Sequence, residues 1–206
     1  NTAEGAGNNT TIVIDEIQKV PILLDEVHWL TENQNIRFLL TGSSARKLKR
    51  GSANLLAGRA WVAHLFPLVS AEIDSFNLLQ YLNRGGLPQV YQSTHYKKEL
   101  RNYVDNYLRE EVLSEALTRS IQSFAEFLDL MGLSNAQEIN YDSLARDCGI
   151  SPSSAKNYIQ ILEDTQVAFT LSAYTKTKKR KAISRSKFFF FDVGVANTLA
   201  GVSEIV

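Results

Sequence analysis

Thr11-Ile12-Val13-Ile14, followed at once by Asp15-Glu16, is the stretch of the sequence that indicates the fold. A short run of β-branched, almost wholly apolar residues is typical of a strand covered on both faces, as in a parallel sheet. Ligands of open α/β sheets bind beyond the carboxyl ends of the strands. The acidic pair is therefore predicted to lie at a ligand-binding edge.

Asp15 and Glu16 suit two different chemical tasks at such an edge. An Asp there can hold the Mg²⁺ that bridges the terminal phosphates of a nucleotide, through oxygen ligands in octahedral geometry. A neighbouring Glu can orient or deprotonate the attacking water. The alternative is that the pair caps the helix that follows, because the dipole at a helix N-terminus favours negative charge.

A second strand follows a predicted helix. Apolar residues at helical spacing predict a helix over residues 20–30, with Pro21 tolerated in its first turn. Residues 36–40 form another buried-strand pattern, which ends in Thr41-Gly42-Ser43-Ser44. Strand, helix and strand make a βαβ unit, so these hydroxyls are expected beside the acidic pair, where one can bind the water or the γ-phosphate. Either serine can instead cap the next helix.

The remainder of the chain is predicted to be mostly helical. Residues 61–66 look like a third strand, which Pro67 ends. After about residue 70, the sequence predicts a short helix at 78–82, a glycine-rich turn at 84–88 and two helices within 96–132. A helix-turn-helix at 141–165 and two strands, at 167–174 and 187–191, follow. Ser151 and Pro152 begin the second helix of the helix-turn-helix as cap and first residue. Two helices followed by two strands predict a winged helix, and Asp192 begins a strand-to-helix turn.

A basic loop joins the two predicted strands of the winged helix, and it contains Lys176, Lys178, Lys179, Arg180, Lys181 and Arg185. Such a loop can lie along a phosphate backbone, where each cation displaces condensed counterions. The exposed face of the preceding helix offers Lys156 and Asn157, which can reach phosphates or base edges. These residues predict contact with DNA. The alternative is a solvated loop on a winged helix that packs between subunits or domains.

Composition excludes few functions. The chain has 206 residues and no net charge, so only local clustering of charge favours a polyanionic partner. A lone Cys148 cannot form an internal disulfide, and no signal peptide or membrane-length apolar run is present. These features predict a cytoplasmic protein without membrane contact. The scattered His28, His64 and His95 do not suggest a metal site.

The sequence resembles a widespread family of prokaryotic AAA-type ATPases that join an ATPase domain to a winged-helix region and a restriction-nuclease-like domain. The matching stretches appear in the expected order, namely TIVIDEIQKVPILL, RFLLTGSSARKL, LLAGRAWVAHLFPLV, YLNRGGLPQVY, YLREEV and SKFFFFDVGVANTLAG. The resemblance implies that Asp15 and Glu16 are the Walker B pair. It further implies that Thr41 or Ser43 is a sensor residue and that Arg59 is an arginine finger, although Arg59 can equally form an ordinary surface ion pair.

The sequence also departs from that family. No G-x-x-x-x-G-K-[ST] motif is present to cradle the β- and γ-phosphates, and the nuclease-like core would follow Val206. The resemblance therefore implies a fragment that neither hydrolyses ATP nor cuts DNA alone. Its parent is expected to be an ATPase that uses ATP and Mg²⁺ and acts on DNA or protein. The alternative is a non-catalytic winged-helix module that binds DNA or serves as a scaffold.

The predicted fold class is an α/β remnant of an AAA-type P-loop NTPase with a parallel sheet, followed by a mostly α winged-helix region. The predicted domains are 1–70 for the partial ATPase domain, 71–133 for a helical lid and 134–206 for the winged helix with the start of a C-terminal domain. A sheet that lacks its P-loop strand is expected to expose an edge, so self-association is a further prediction.

Overall fold

A computed structural model describes residues 10–34, 36–42, 60–108, 121–174 and 185–206. The chain divides into two compact units, an N-terminal unit over residues 1–64 and a C-terminal unit over residues 65–206. Several predicted site residues lie outside the described residues, namely Ser43, Arg59, Lys176 and residues 178–181.

The described part of the N-terminal unit is a β-α-β arrangement. Strand β1 spans Thr11–Ile14, helix α1 spans Leu23–Gln34 and strand β2 spans Arg37–Leu40. The strands pair in parallel, with Ile14 opposite Leu40, which confirms the predicted parallel pairing. Helix α1 begins three residues later than predicted, because a one-turn 3-10 helix over Ile17–Lys19 and a turn around Pro21 precede it.

One face of this sheet is exposed, so the prediction of strands covered on both faces was wrong. Val13 is 62% exposed and its partner in the register, Leu39, is 56% exposed, whereas Ile12 and Phe38 are half-buried. Helix α1 buries Leu24 and provides the helical cover in the described part of this unit. Among the described residues of this unit, no second layer covers Val13 and Leu39.

The predicted third strand at residues 61–66 was also wrong. These residues have no regular secondary structure. Trp61 and Leu65 are almost fully exposed. An extended segment becomes a strand only when a neighbour accepts its backbone hydrogen bonds, and none of the described strands pairs with this segment. The apolar pattern of residues 61–66 alone was therefore insufficient to predict a strand.

The C-terminal unit is mostly helical. The α-helices in its described part are, in chain order, α2 to α8, at Leu78–Arg84, Pro88–Gln92, Tyr96–Asn102, Ile121–Leu133, Tyr141–Asp147, Pro152–Asp164 and Val193–Leu199. Helix α4 continues as a π-helix over Tyr103–Leu108, and a 3-10 turn spans Ser70–Glu72. Strands β3, at Ala168–Leu171, and β4, at Lys187–Phe190, pair antiparallel.

One hydrophobic core holds this unit together. Phe127, Leu128 and Met131 of α5 are fully buried in it. The Tyr158 ring of α7 packs edge-on against the Phe127 ring, with 5.2 Å between the ring centroids. Phe188 of β4 joins the same cluster. Burial of an aromatic or aliphatic side chain of this size stabilises a fold by about 1.5–3 kcal/mol, so this core explains why the described part of residues 65–206 forms one unit.

Helices α6 and α7 confirm the predicted helix-turn-helix. The Asn140 side chain accepts hydrogen bonds from the Asp142 and Ser143 amides and so caps α6. The Ser151 hydroxyl accepts a hydrogen bond from the Ser154 amide and caps α7, one residue before Pro152, as the sequence predicted. Each cap satisfies amides that a helix N-terminus otherwise leaves without a partner.

A buried carboxylate joins the glycine-rich turn after α2 to the start of α8. Asp192 is 4% exposed and caps α8, with Oδ1 accepting from the Val195 amide at 3.0 Å. Its Oδ2 accepts from the Gly86 amide at 2.6 Å, although the two residues are 106 positions apart in the sequence. The predicted strand-to-helix turn is confirmed. The cross-link to Gly86 was not predicted.

The side chain of Asn83 binds the backbone of the last described segment. Asn83 Nδ2 donates to the Ile205 carbonyl at 2.9 Å, and Asn83 Oδ1 accepts from the Ile205 amide at 2.7 Å. Lys97 Nζ lies 2.8 Å from Glu204 Oε2 and adds an exposed ion pair. These contacts hold residues 204 and 205 against α2 and α4.

Candidate functional site

The carboxyl ends of β1 and β2 bring Asp15 and Thr41 together. Because the strands run in parallel with Ile14 opposite Leu40, the residue that follows each strand lies at the same edge of the sheet. The Thr41 amide donates to the Ile14 carbonyl at 3.0 Å, and the Thr41 hydroxyl donates to Asp15 Oδ1. Both residues are exposed. A carboxylate oriented by a hydroxyl is thus accessible to a ligand.

Glu16 adopts an unusual backbone conformation at this edge. Its φ angle is 55°, in the left-handed region that non-glycine residues rarely adopt. The Glu16 amide donates to Thr41 Oγ1 at 3.3 Å, and the Ile17 amide donates to the Thr41 carbonyl at 3.0 Å. Thr41 therefore accepts from the turn through both its side chain and its backbone. Such strained conformations occur more often at functional sites than elsewhere.

The Glu16 carboxylate has two neighbours of its own. Gln18 Nε2 donates to Glu16 Oε2 at 2.6 Å, and Lys19 Nζ lies 3.6 Å from the same oxygen. Gln18 is only 5% exposed, whereas the Lys19 side chain is 72% exposed. The buried amide therefore orients the carboxylate, and the solvated ammonium adds little fixed geometry.

Gln18 is a candidate site residue that the sequence did not predict. A Cβ atom on Gly42 would lie 2.4 Å from Gln18 Oε1, so the absence of a side chain at Gly42 gives the Gln18 amide its room. A glycine directly after a site threonine is the signal that would have indicated a close approach at this point. Nothing in the sequence identifies Gln18 itself as the residue that approaches.

The alternative interpretation of the acidic pair as a helix cap applies in part, because Glu16 occupies the N-cap position of the 3-10 helix over Ile17–Lys19. Helix α1 begins at Leu23, and its first turn has its own acidic residues, Asp25 and Glu26. Glu16 makes no side-chain capping hydrogen bond to the 3-10 helix that follows it. Each carboxylate has one oxygen in a side-chain hydrogen bond, Asp15 Oδ1 with Thr41 and Glu16 Oε2 with Gln18.

The donor set at this edge fits Mg²⁺ only together with a ligand that brings oxygens. Within residues 10–34, 36–42, 60–108, 121–174 and 185–206, no group of three His, Cys, Asp or Glu side chains is placed to hold a metal ion. Mg²⁺ is commonly bound through one or two carboxylates, water and substrate phosphates. Asp15 with Thr41 fits this mode of binding, in which water and phosphates supply the remaining oxygen ligands.

Two of the DNA-contact candidates within the described residues, Lys156 and Asn157, lie on α7. Lys156 and Asn157 are both exposed, and their neighbours Ala155 and Tyr158 are buried in the core of the C-terminal unit. The rigid helix therefore presents them to solvent. No helix in the described part of the chain has the length and apolarity to cross a bilayer.

Comparisons with known proteins match both parts of the sequence. A family model described as "Domain of unknown function (DUF8612)" matches residues 75–205, and one described as "AAA domain" matches residues 2–74. The uncharacterized protein Rv2008c of Mycobacterium tuberculosis (strain ATCC 25618 / H37Rv) is 22% identical over 204 residues, which cover 97% of this chain and 46% of that protein. No solved structure matches.

A second similar protein is also matched over about half of its own length. The uncharacterized protein MJ1544 of Methanocaldococcus jannaschii is 26% identical over 212 residues, which cover 90% of this chain and 47% of that protein. The chain thus spans about half the length of the curated relatives it matches. The match to an AAA domain confirms the AAA-type part of the predicted resemblance. The winged-helix and nuclease-like parts stay predictions.

Proposed function

Because this chain belongs to the family of the domain of unknown function DUF8612 and also matches an AAA domain, we propose that it contains part of an ATP site. In this proposal, residues 11–42 hold the metal and the attacking water of an AAA-type ATPase. The observation that supports it most is the pairing of Asp15 with Thr41 at the carboxyl edge of two parallel strands.

Asp15 is the proposed metal ligand. Its Oδ1 already accepts from Thr41, which leaves Oδ2 and the remaining lone pairs for a hydrated Mg²⁺. Bound Mg²⁺ with ATP would neutralise charge on the terminal phosphates. Thr41 orients Asp15 and therefore acts as a positioning residue in the proposed site.

Glu16 is the proposed water-activating residue, and Gln18 orients it. A general base must be within hydrogen-bond reach of the water, and the 2.6 Å bond from Gln18 Nε2 fixes one carboxylate oxygen and leaves the other for that task. Ser43 and Arg59 stay sequence predictions for the sensor and the arginine finger. Hydrolysis of ATP coupled to a DNA or protein partner is our proposal for the longer proteins.

Asp15→Asn is expected to weaken Mn²⁺ binding by about tenfold or more. The change removes the charged ligand and keeps the shape of the side chain. Thr41→Val is expected to weaken binding by no more than Asp15→Asn does, about tenfold, because loss of an orienting hydrogen bond commonly costs 10–100-fold in metal affinity. Electron paramagnetic resonance of free Mn²⁺, titrated with the 206-residue chain at a fixed ATP concentration and compared with the same titration without protein, measures both.

Asp25→Asn is the matched control. Asp25 is an exposed carboxylate in the first turn of α1, so the change alters the net charge of the same unit by the same amount. Its expected effect on Mn²⁺ binding is less than about twofold, as for a surface charge screened by solvent. Equal losses in Asp15→Asn and Asp25→Asn would contradict a specific site at the sheet edge.

A second candidate function is contact with duplex DNA through a winged helix. It is favoured by the exposure of Lys156 and Asn157 on α7, which follows α6 and precedes an antiparallel strand pair. Five cations, Lys176 and those at 178–181, stand between those strands in the sequence. The competing proposal is that the same module packs against another domain or a second copy of the chain.

Duplex binding is expected to weaken steeply with salt. A Lys178/Lys179/Arg180→Ala variant should reduce the slope of log affinity against log salt by about 2.7, since each phosphate contact contributes about 0.9. Lys156→Ala should reduce it by about 0.9. Fluorescence anisotropy of a labelled duplex measures both, with Lys98→Ala, an exposed lysine of α4, as the control. An absence of binding at low salt would favour the packing role.

A further inference from the structure

The outer face of the ribbon formed by β3 and β4 is apolar and exposed, and neither proposed function uses it. Strand alternation directs Ala168 and Phe188 into the core, where they are 4% and 0% exposed. The same alternation leaves Phe169, which is 49% exposed, and Leu171, which is 57% exposed, on the other face. Burial of the inner face stabilises the ribbon, but it does not explain why the exposed outer face has apolar side chains.

Aromatic side chains dominate this outer face. The Phe169 and Phe189 rings stack across the strands, with 5.4 Å between centroids and 13° between ring planes. A cross-strand aromatic pair of this kind stabilises a ribbon by itself. Tyr174, three residues beyond β3, is 92% exposed. Burial therefore gives no reason for a large aromatic residue at that position.

Two cations adjoin these aromatic residues. Arg185 and Lys187 are exposed, and they line a groove of about 620 Å³ together with Leu171 and Tyr174. Glu138 is the one acidic residue among the described residues that line it. In the sequence, the ten residues from 175 to 184 include five cations and no carboxylate. The groove thus lies at the end of the ribbon where β3 ends and β4 begins, and the residues between these strands in the sequence are rich in positive charge.

We propose that this outer face binds a single-stranded nucleic acid, with Tyr174 and Phe169 stacking on bases and Arg185 and Lys187 facing phosphates. Aromatic rings beside cations are the combination that single strands require, because their bases are unstacked and offer their faces. A duplex hides those faces inside its own stack. An acidic peptide would match the cations but would leave the aromatic rings without a counterpart.

This surface is distinct from the exposed face of α7 and from the sheet edge that contains Asp15. The bases would contact the strand ribbon, whereas duplex contact would use Lys156 and Asn157. Asp15→Asn is accordingly expected to leave single-strand binding unchanged. A negative result for the proposed ATP site would therefore not count against this surface. A negative result for single-strand binding would likewise not count against the ATP site.

Fluorescence anisotropy with a labelled oligothymidine of about 12 nucleotides tests the proposal against a duplex of the same length. The 206-residue chain should bind the single strand more tightly than the duplex. Tyr174→Ala should weaken that binding by about tenfold, since stacking on one base contributes on the order of 1–3 kcal/mol. Tyr174→Phe, which keeps the ring, should restore it. Lys187→Ala should lower the salt slope by about 0.7.

Trp61→Ala is the matched control, because Trp61 is an equally exposed aromatic residue outside the C-terminal unit. It should leave the affinity for oligothymidine unchanged. Equal losses in Tyr174→Ala and Trp61→Ala would overturn the proposal, as would an absence of binding at low salt. Tighter binding of the duplex that Tyr174→Ala does not alter would assign nucleic-acid contact to α7 and also overturn it.

Discussion

Asp192→Ala is expected to lower the free energy of unfolding of the C-terminal unit by about 3 kcal/mol. The change removes the acceptor of two backbone amides, those of Gly86 and Val195. Each buried amide left without a partner costs about 1–3 kcal/mol. The α8 cap is lost in the same step, and loss of a cap alone typically costs about 1 kcal/mol.

Urea unfolding of the whole chain, followed by far-UV circular dichroism, measures this loss. Asp74→Ala, at an exposed position of the same unit, is the control and should stay within about 0.5 kcal/mol of the wild type. Asp192→Asn should be intermediate, because an amide keeps one of the two acceptors. A loss for Asp192→Ala no larger than that of the control would show that the buried carboxylate does not hold the two segments together.

The pH dependence of the same experiment has a defined sign. Burial raises the pKa of the Asp192 carboxyl above its usual value of 3.8, and donation from the Gly86 and Val195 amides offsets part of that rise. Between the unfolded and folded pKa values, the folded chain binds more protons, so stability falls as pH rises through that window. The stability advantage of the wild type over Asp192→Asn should therefore shrink as pH rises from about 4.

Gly194→Ala is expected to destabilise the C-terminal unit by about 3 kcal/mol through steric overlap alone. An added Cβ would lie 2.5 Å from the Arg84 carbonyl oxygen and 2.8 Å from the Gly85 nitrogen. Both atoms belong to the backbone, so the turn or the helix must move, and overpacking of this kind typically costs 1–3 kcal/mol or more. Helix propensity alone predicts the opposite sign, since Ala is favoured over Gly in a helix by about 1 kcal/mol.

Gly149→Ala separates this steric effect from backbone strain. Gly149 has a φ of +63° and nothing within 4 Å of an added Cβ. Its expected cost is about 1–2 kcal/mol, from the left-handed conformation alone. Thermal and urea unfolding of both variants should therefore rank Gly194→Ala as the more damaging. A Gly194→Ala variant as stable as the wild type would mean that the segments tolerate a wider separation.

Local chemistry predicted much of the C-terminal unit. Ser151 before Pro152 identified the start of α7, and Asp192 identified the start of α8, because capping depends on a few adjacent residues. The N-terminal boundaries were less accurate. The helix predicted from residue 20 begins at Leu23, since the turn around Pro21 uses the intervening residues.

Contacts between distant segments were the part that the sequence did not predict. Residues 61–66 had the composition of a strand, but strand formation requires a partner that composition does not specify. Gln18 reaches Glu16 because Gly42 leaves room for it, and Asp192 reaches Gly86 across 106 positions. The position of Thr41 beside Asp15 could be predicted, because the carboxyl ends of paired parallel strands lie at the same edge of a sheet.

The contact between Asn83 and Ile205 bears on which substitutions the chain tolerates. The Asn83 side-chain amide donates to the backbone carbonyl of residue 205 and accepts from its backbone amide, so the recognition does not depend on which side chain that residue has. Sequence drift at position 205 should therefore preserve the attachment, with proline excepted because it has no amide proton. Position 83 has the opposite constraint, since Asp or Leu cannot both donate and accept in the same place. The two ends of one contact are thus expected to evolve at different rates.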